Sequence, residues 1–106
     1  MGVTTSTSIV RVQEPGSSPT IYHLSAPVSG TEYSQLLPDG TKKLEVKTLN
    51  RLTNTQIAFS PGDTSSDYWP IPGCTVFEET GLNLTSTTLY VQTDNTNETV
   101  IIKVWV

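Results

Sequence analysis

Short segments in which apolar and polar residues alternate recur about every ten residues along the chain. The alternation is cleanest between Lys43 and Thr48, and the last segment has one side that is wholly apolar. Its wholly apolar side consists of Val100, Ile102, Val104 and Val106. Lys103 and Trp105 fall on the other side, together with Thr99 and Ile101. A period of two is what a pleated strand imposes, because successive side chains point to opposite faces. The pattern therefore predicts a final strand with one buried face.

The same criterion predicts eight strands, separated by clusters of Pro, Gly, Asn and Asp. They are Ser8–Gln13, Thr20–Leu24, Lys42–Leu49, Gln56–Phe59, Val76–Glu79, Leu82–Leu84, Thr87–Thr93 and Glu98–Val106. No segment shows helical periodicity. Many short antiparallel strands in a chain of 106 residues favour one all-β domain, an antiparallel β-sandwich of the jelly-roll type. We expect a sandwich domain over residues 8–106, preceded by a flexible arm over residues 1–7, which has too little apolar area to order itself.

Two segments with prolines carry more apolar residues than loops usually do. Tyr33, Leu36 and Leu37 precede a turn at Pro38, and Tyr68 and Trp69 lie in the segment YWPIPG. Proline cannot donate to a central ladder, so YWPIPG is predicted at a sheet edge or in an extended loop. These apolar side chains either cap an open end of the sandwich or contact a partner protein. Both alternatives stay open, and the candidate partner-contact residues are Tyr33, Leu36, Leu37, Tyr68 and Trp69.

The charge pattern argues against nucleic acid as a partner. Six basic and ten acidic side chains give a net charge of −4, and the basic ones are scattered. Nucleic-acid binding draws most of its affinity from clustered basic groups that neutralise phosphates. Charged residues make up only 15% of the chain, and Thr, Ser, Asn and Gln supply the polar surface. Such a surface suits packing against other subunits, where each buried charge needs a partner. It is also what exposed strands rich in Thr produce by themselves.

The reactive side chains are too few for an active site. The chain has one histidine, His23, within a predicted strand, and one cysteine, Cys74, without a second thiol. A nucleophile–histidine site would have to be built around His23, whose neighbours Ile21, Tyr22 and Leu24 are typical of a strand rather than of an active-site loop. The number of ligands excludes a zinc site. Asp63 and Asp67 flank a turn, where carboxylates more often bind local backbone donors than calcium. We expect no enzymatic activity, no metal and no cofactor.

The first residues, MGVTTSTSIVRVQEPG, lack the basic and apolar regions of a secretory signal. No run of about 18 apolar residues occurs that would span a bilayer. With a single cysteine, an internal disulfide framework is excluded. These features favour assembly inside a cell and give no reason to expect a membrane partner.

The second half of the chain, Ile57 to Val106, contains a strand ending FSPG, an aromatic step YWPIPG, a strand STTLYVQ and a terminal strand VWV, in that order. This series of motifs resembles that of small virion structural proteins of tailed bacteriophages. Proteins of that kind are sandwich or jelly-roll domains that decorate the capsid or sit in the neck and tail. The motifs are structural, so the resemblance implies an architectural role and assigns no functional residue.

The resemblance implies a capsid decoration or cement protein that bridges and stabilises major capsid subunits. Its partners would be the major capsid protein and copies of itself, as a dimer or trimer. It would be made in the cytoplasm of a host bacterium and end on the capsid surface. Two alternatives remain: a neck or tail-completion subunit, and a carbohydrate-binding or host-adhesion module whose Tyr and Trp side chains stack on sugar rings.

Overall fold

The structure, a computed structural model, describes residues 18–106. The predicted arm and the predicted strand Ser8–Gln13 lie outside these residues. The described part contains eight strands and one 3-10 turn, η1, at Asp63–Ser65. The strands are β1 (Thr20–Ala26), β2 (Tyr33–Leu36), β3 (Lys43–Thr48), β4 (Thr55–Ala58), β5 (Trp69–Ile71), β6 (Phe77–Glu79), β7 (Thr88–Thr93) and β8 (Glu98–Trp105).

The strands form two packed antiparallel sheets, so the predicted all-β sandwich is confirmed. Sheet A has the order β1-β8-β3-β6 and sheet B the order β2-β7-β4-β5. β1 pairs with β8, β2 with β7, β3 with β6 and β4 with β5. The chain therefore pairs like one long hairpin whose arms alternate between the two sheets. Pairing of β8 with β3 and of β7 with β4 completes each sheet.

The core lies between the two sheets and is built from alternate residues of the central strands. In β8, the inward residues are Val100, Ile102 and Val104, and all are fully buried. In β7, Leu89 and Val91 are buried on the facing sheet. Each fully buried aliphatic side chain contributes about 1.5–3 kcal/mol relative to leaving it in water. These two strands therefore supply five of the fully buried side chains of the core.

Trp105 points outward from sheet A, as the period of two predicts, yet it is only 5% exposed. Lys43 lies opposite Trp105 on β3, and its Nζ is 4.5 Å from the indole centroid. The Nζ of Lys103, also on β8, is 4.8 Å from it. The two side chains cover the ring, and their ammonium groups interact with its electron-rich face. Outward orientation in a strand therefore does not make this aromatic ring available to a partner.

Two strands, β2 and β5, form in the proline-containing segments that are not among the eight predicted strands. The sequence pattern does not predict β2, because its inward residues are Tyr33 and Gln35. A glutamine at an inward position breaks the expected alternation of apolar and polar residues. β5 contains Pro70 and is the last strand of sheet B, so it occupies the edge position that proline requires.

The predicted strand at Leu82–Leu84 is wrong. Its backbone N–H groups instead donate to chain before β3: Leu82 to the carbonyl of Lys42, and Leu84 to that of Thr41. Both leucine side chains pack against the core. At the other end of the chain, β8 stops at Trp105 and Val106 is exposed, although the pattern predicts it in the buried row.

A buried carboxylate ties the loop after β3 to the start of β8. Glu98 is 4% exposed. One of its oxygens accepts a hydrogen bond of 2.5 Å from the Thr53 hydroxyl, and the other accepts from the backbone N–H groups of Asn50 and Thr99. A buried carboxylate that accepts several hydrogen bonds is stabilised in place, whereas a missing acceptor leaves donors unsatisfied.

Replacing Glu98 by Gln should therefore destabilise the fold. The amide places an NH2 group where one acceptor oxygen stands, so the Thr53 hydroxyl must turn to accept instead of donating, and the backbone N–H groups lose a charged acceptor. We expect Glu98→Gln to lower the free energy of unfolding by about 1–3 kcal/mol in urea titrations. The matched control is Glu79→Gln on the exposed end of β6, for which a change within about 0.5 kcal/mol is expected. Equal effects for the two variants would contradict this role of Glu98.

Candidate functional site

The sandwich is open along the side where both sheets end in a short strand. β5 is the last strand of sheet B and β6 the last strand of sheet A. Residues of both strands line a cleft of about 440 Å³ between the sheets. Each of these strands has three residues, so neither covers the margin of the core completely.

The cleft carries a cluster of aromatic side chains, which we call the apolar edge: Phe59, Tyr68, Trp69 and Phe77. Three of them are between 41% and 64% exposed, and Phe77 is half-buried against the core. Trp69 lies opposite Ile57, on the core-facing side of sheet B. Among residues 18–106, β5 is the last strand of sheet B, so no further strand of this range covers Trp69. Soluble monomers rarely expose clustered large apolar side chains unless a partner covers them.

Three carboxylates, which we call the acidic rim, line the same cleft: Asp63, Asp67 and Glu79. Among residues 18–106, no hydrogen bond or ion pair engages any of the three carboxylates. The apolar edge is therefore bordered by uncompensated negative charge. A surface that covers it would gain from apolar side chains at its centre and basic ones around them.

Glu32, the residue just before β2, holds in place the loop that carries Asp63 and Asp67 of the acidic rim. The Glu32 carboxylate accepts hydrogen bonds from the Thr64 hydroxyl at 2.6 Å and from the backbone N–H of Gly62 at 3.0 Å. Gly62 has φ of 84°, a left-handed conformation that suits glycine. These contacts hold η1 against sheet B, where Thr64 is buried. The Thr64 hydroxyl, followed by the Gly62 N–H, lowers the pKa of the Glu32 carboxyl below its ordinary value.

The five predicted partner-contact residues do not form one surface. Leu37 is buried in the core, and Tyr33 points inward, with its hydroxyl accepting a hydrogen bond from the Val28 N–H. Leu36 points outward from β2 and is exposed. β2 and β5 are at opposite edges of sheet B, about 14 Å apart at three strand spacings. The structure brings together only Tyr68 and Trp69.

Sequence reasoning missed Phe59 and Phe77 as members of this cluster. Both were predicted within strands, where an aromatic residue is ordinarily part of the core. Their positions in the sequence could have indicated this. Phe59 directly precedes the break SPGD and Phe77 follows PIPGCTV, so each lies at the margin of its sheet. That Phe59 and Phe77 belong to one cluster follows only from how the strands of the two sheets pair and pack. Local sequence patterns do not contain that information.

The remaining candidates for chemistry are dispersed. His23 points outward from β1, opposite Ile101, and Cys74 lies exposed in a turn. Within the described range, residues 18–106, no group of three or more His, Cys, Asp or Glu side chains is placed to hold a metal ion. No helix in that range has the length and apolar character needed to cross a membrane.

Comparisons with protein-family models, with curated proteins and with solved structures each returned no match.

The stabilisation of the loop by the Glu32 carboxylate should depend on pH. Because the folded pKa lies below the ordinary value of 4.5, the stabilisation is complete above pH 4.5 and is lost as the pH falls through the folded pKa. Glu32→Gln should remove it at neutral pH. Amide hydrogen exchange at Gly62 and Thr64 should then be faster than in the wild type at neutral pH, and the difference should disappear in acid. A difference that persists unchanged in acid would contradict the assignment to the Glu32 carboxylate.

Proposed function

We propose that this chain is a non-enzymatic structural protein of a bacteriophage virion, a decoration or cement protein that binds the major capsid protein through the apolar edge. The observation that carries the proposal is the open side of the sandwich, with Trp69 64% exposed on a core-facing position. The resemblance of residues 57–106 to small virion proteins supplies the class of partner.

The energetics of the apolar edge support a contact role. Trp and Tyr are enriched at the centres of protein interfaces, because large rigid rings bury much area at low entropic cost. A tryptophan that only closed the end of the core would stabilise the fold through burial of its side chain. Most of the Trp69 side chain is instead exposed to water. The acidic rim adds charge complementarity for a basic border on the shell, which favours one orientation of binding.

Bridging needs a second contact surface on each copy, and sheet B offers one at its opposite edge. Leu36 points outward from β2 and is exposed, well separated from Trp69. We assign this edge to contact between copies, as a dimer or trimer around a symmetry axis. Each copy would then touch the shell on one side and a neighbour on the other. Many weak contacts of this kind together stabilise a shell.

We also assign the sandwich to the jelly-roll topology. The nested pairing of β1 with β8, β2 with β7, β3 with β6 and β4 with β5 supports this assignment. Eight strands in two sheets with such pairing are what a jelly roll requires. The topology gives a rigid slab with short connections, which suits a subunit that must transmit force between neighbours.

The number of copies in purified virions tests the proposal. Quantitative mass spectrometry of particles from the phage whose genome encodes this chain should find it at a fixed ratio to the major capsid protein. A single ring of copies would instead indicate a neck or tail-completion subunit. Absence from the particles would overturn the virion assignment altogether.

Trp69→Ala should weaken binding to capsids that lack the protein by at least about tenfold, equivalent to about 1.4 kcal/mol. Because Trp69 is largely exposed, folding should be retained, and a urea titration of the variant checks this. The matched control is Ile21→Ala, a similarly exposed apolar residue on β1 at the edge of sheet A, which should bind like the wild type. Unchanged binding by a folded Trp69→Ala variant would contradict the role of the apolar edge.

A further inference from the structure

The outer face of sheet B carries a second concavity, a groove of about 410 Å³. Its lining includes Gln56, Gln92, Tyr68 and Pro70, and we call it the amide groove. Gln56 on β4 lies directly opposite Gln92 on β7 and, on its other side, opposite Pro70 on β5. These residues point away from the core, since their neighbours Thr55 and Ile57 are buried. Ligand sites of small molecules usually have volumes of about 300–1,000 Å³.

Polar groups in the amide groove are left unpaired. Among the described residues, the Gln56 carboxamide and the Tyr68 hydroxyl have no hydrogen-bond partner. The Oε1 of Gln92 accepts a hydrogen bond of 3.0 Å from the Ser65 hydroxyl. The Nε2 of Gln92 has no hydrogen-bond partner within residues 18–106. The groove therefore offers both donors and acceptors to a ligand, from side chains held on paired strands.

The amide groove carries one charge, the carboxylate of Asp94. Each of its oxygens accepts a hydrogen bond from Asn54, one from the backbone N–H at 2.9 Å and the other from the side-chain Nδ2 at 2.8 Å. Among residues 18–106, no Lys, Arg or His lines the groove. An anionic ligand would therefore find no basic partner there and would be repelled by Asp94. This lining favours an uncharged ligand over an anionic one.

A ligand that is uncharged, rich in hydroxyls and partly apolar is a sugar. A carboxamide offers an acceptor and a donor side by side, which matches two neighbouring hydroxyls of a pyranose ring. The rings of Pro70 and Tyr68 offer flat apolar surface for the C–H face of such a ring.

We propose that the amide groove binds a neutral oligosaccharide. Gln56 and Gln92 bind its hydroxyls, and Pro70 and Tyr68 pack against its apolar faces. Gln56, Gln92 and Pro70 point outward from sheet B and do not belong to the apolar edge, whereas Tyr68 borders both sites. Sugar binding through the two glutamines therefore does not depend on the virion assignment. In a capsid-bound copy, it would add attachment to glycans of a cell surface.

NMR titration of the whole chain tests this proposal, with neutral trisaccharides of glucose, galactose and mannose as probes. At least one probe should shift the side-chain amide signals of Gln56 and Gln92, with a dissociation constant of about 1 mM or tighter. A charged trisaccharide of galacturonic acid should not shift them. No shift with any neutral probe, or an equal shift with the charged one, would overturn the proposal.

Gln56→Ala should weaken binding of the same probe at least about tenfold. The carboxamide has no partner in the fold, so this variant should fold normally. Asn83→Ala, which removes an exposed amide at the opposite end of the molecule, is the matched control and should bind like the wild type. Gln56→Ala should keep its capsid binding, and Trp69→Ala its sugar binding, so the two proposals fail separately. Sugar binding unchanged by Gln56→Ala would contradict the site.

Discussion

The pairing of β8 with both β1 and β3 is the interaction on which the rest of the structure depends. β8 lies between β1 and β3. Its Val104 is paired with Thr20 of β1 on one side and with Leu44 of β3 on the other. Its inward residues are fully buried. Without β8, sheet A would separate into β1 alone and the pair β3–β6, and sheet B would lose the apolar surface that covers its inner face. Every other pairing is nested inside that of β1 with β8.

The nested pairing also explains why one side of the sandwich is open. The pairs are formed from strands that lie progressively closer in sequence, and the bend of this long hairpin lies between β4 and β5. β5 and the next strand, β6, are the last strands of sheets B and A. The chain crosses there from sheet B to sheet A, so both sheets end in strands of three residues. The aromatic side chains at this margin remain exposed. The proposed contact surface is therefore a consequence of topology, placed where two short edge strands cannot cover the core.

The sequence predicted the strands whose faces differ sharply, as in β3, where Leu44 and Val46 are buried and Lys47 is exposed. It failed where the period of two is weak, as in β2. For the three residues of β5, around Pro70, it left a sheet edge and an extended loop as alternatives, and the structure has the edge. At the candidate site, it identified Tyr68 and Trp69 as unusual for a loop. It did not separate them from Leu37, which is apolar, precedes a similar turn and yet is buried. That difference depends on which segments meet in space.

The two tryptophans allow the most direct measurement of the open side, because one is exposed at its margin and the other is 5% exposed beneath two lysines. Acrylamide quenching would be measured on Trp105→Phe, in which Trp69 is the reporter, and on Trp69→Phe, in which Trp105 is. The account predicts strong quenching and red-shifted emission from Trp69 and weak quenching from Trp105 in the isolated protein. Weak quenching and blue-shifted emission from Trp69 would show that this side is closed and would contradict the account.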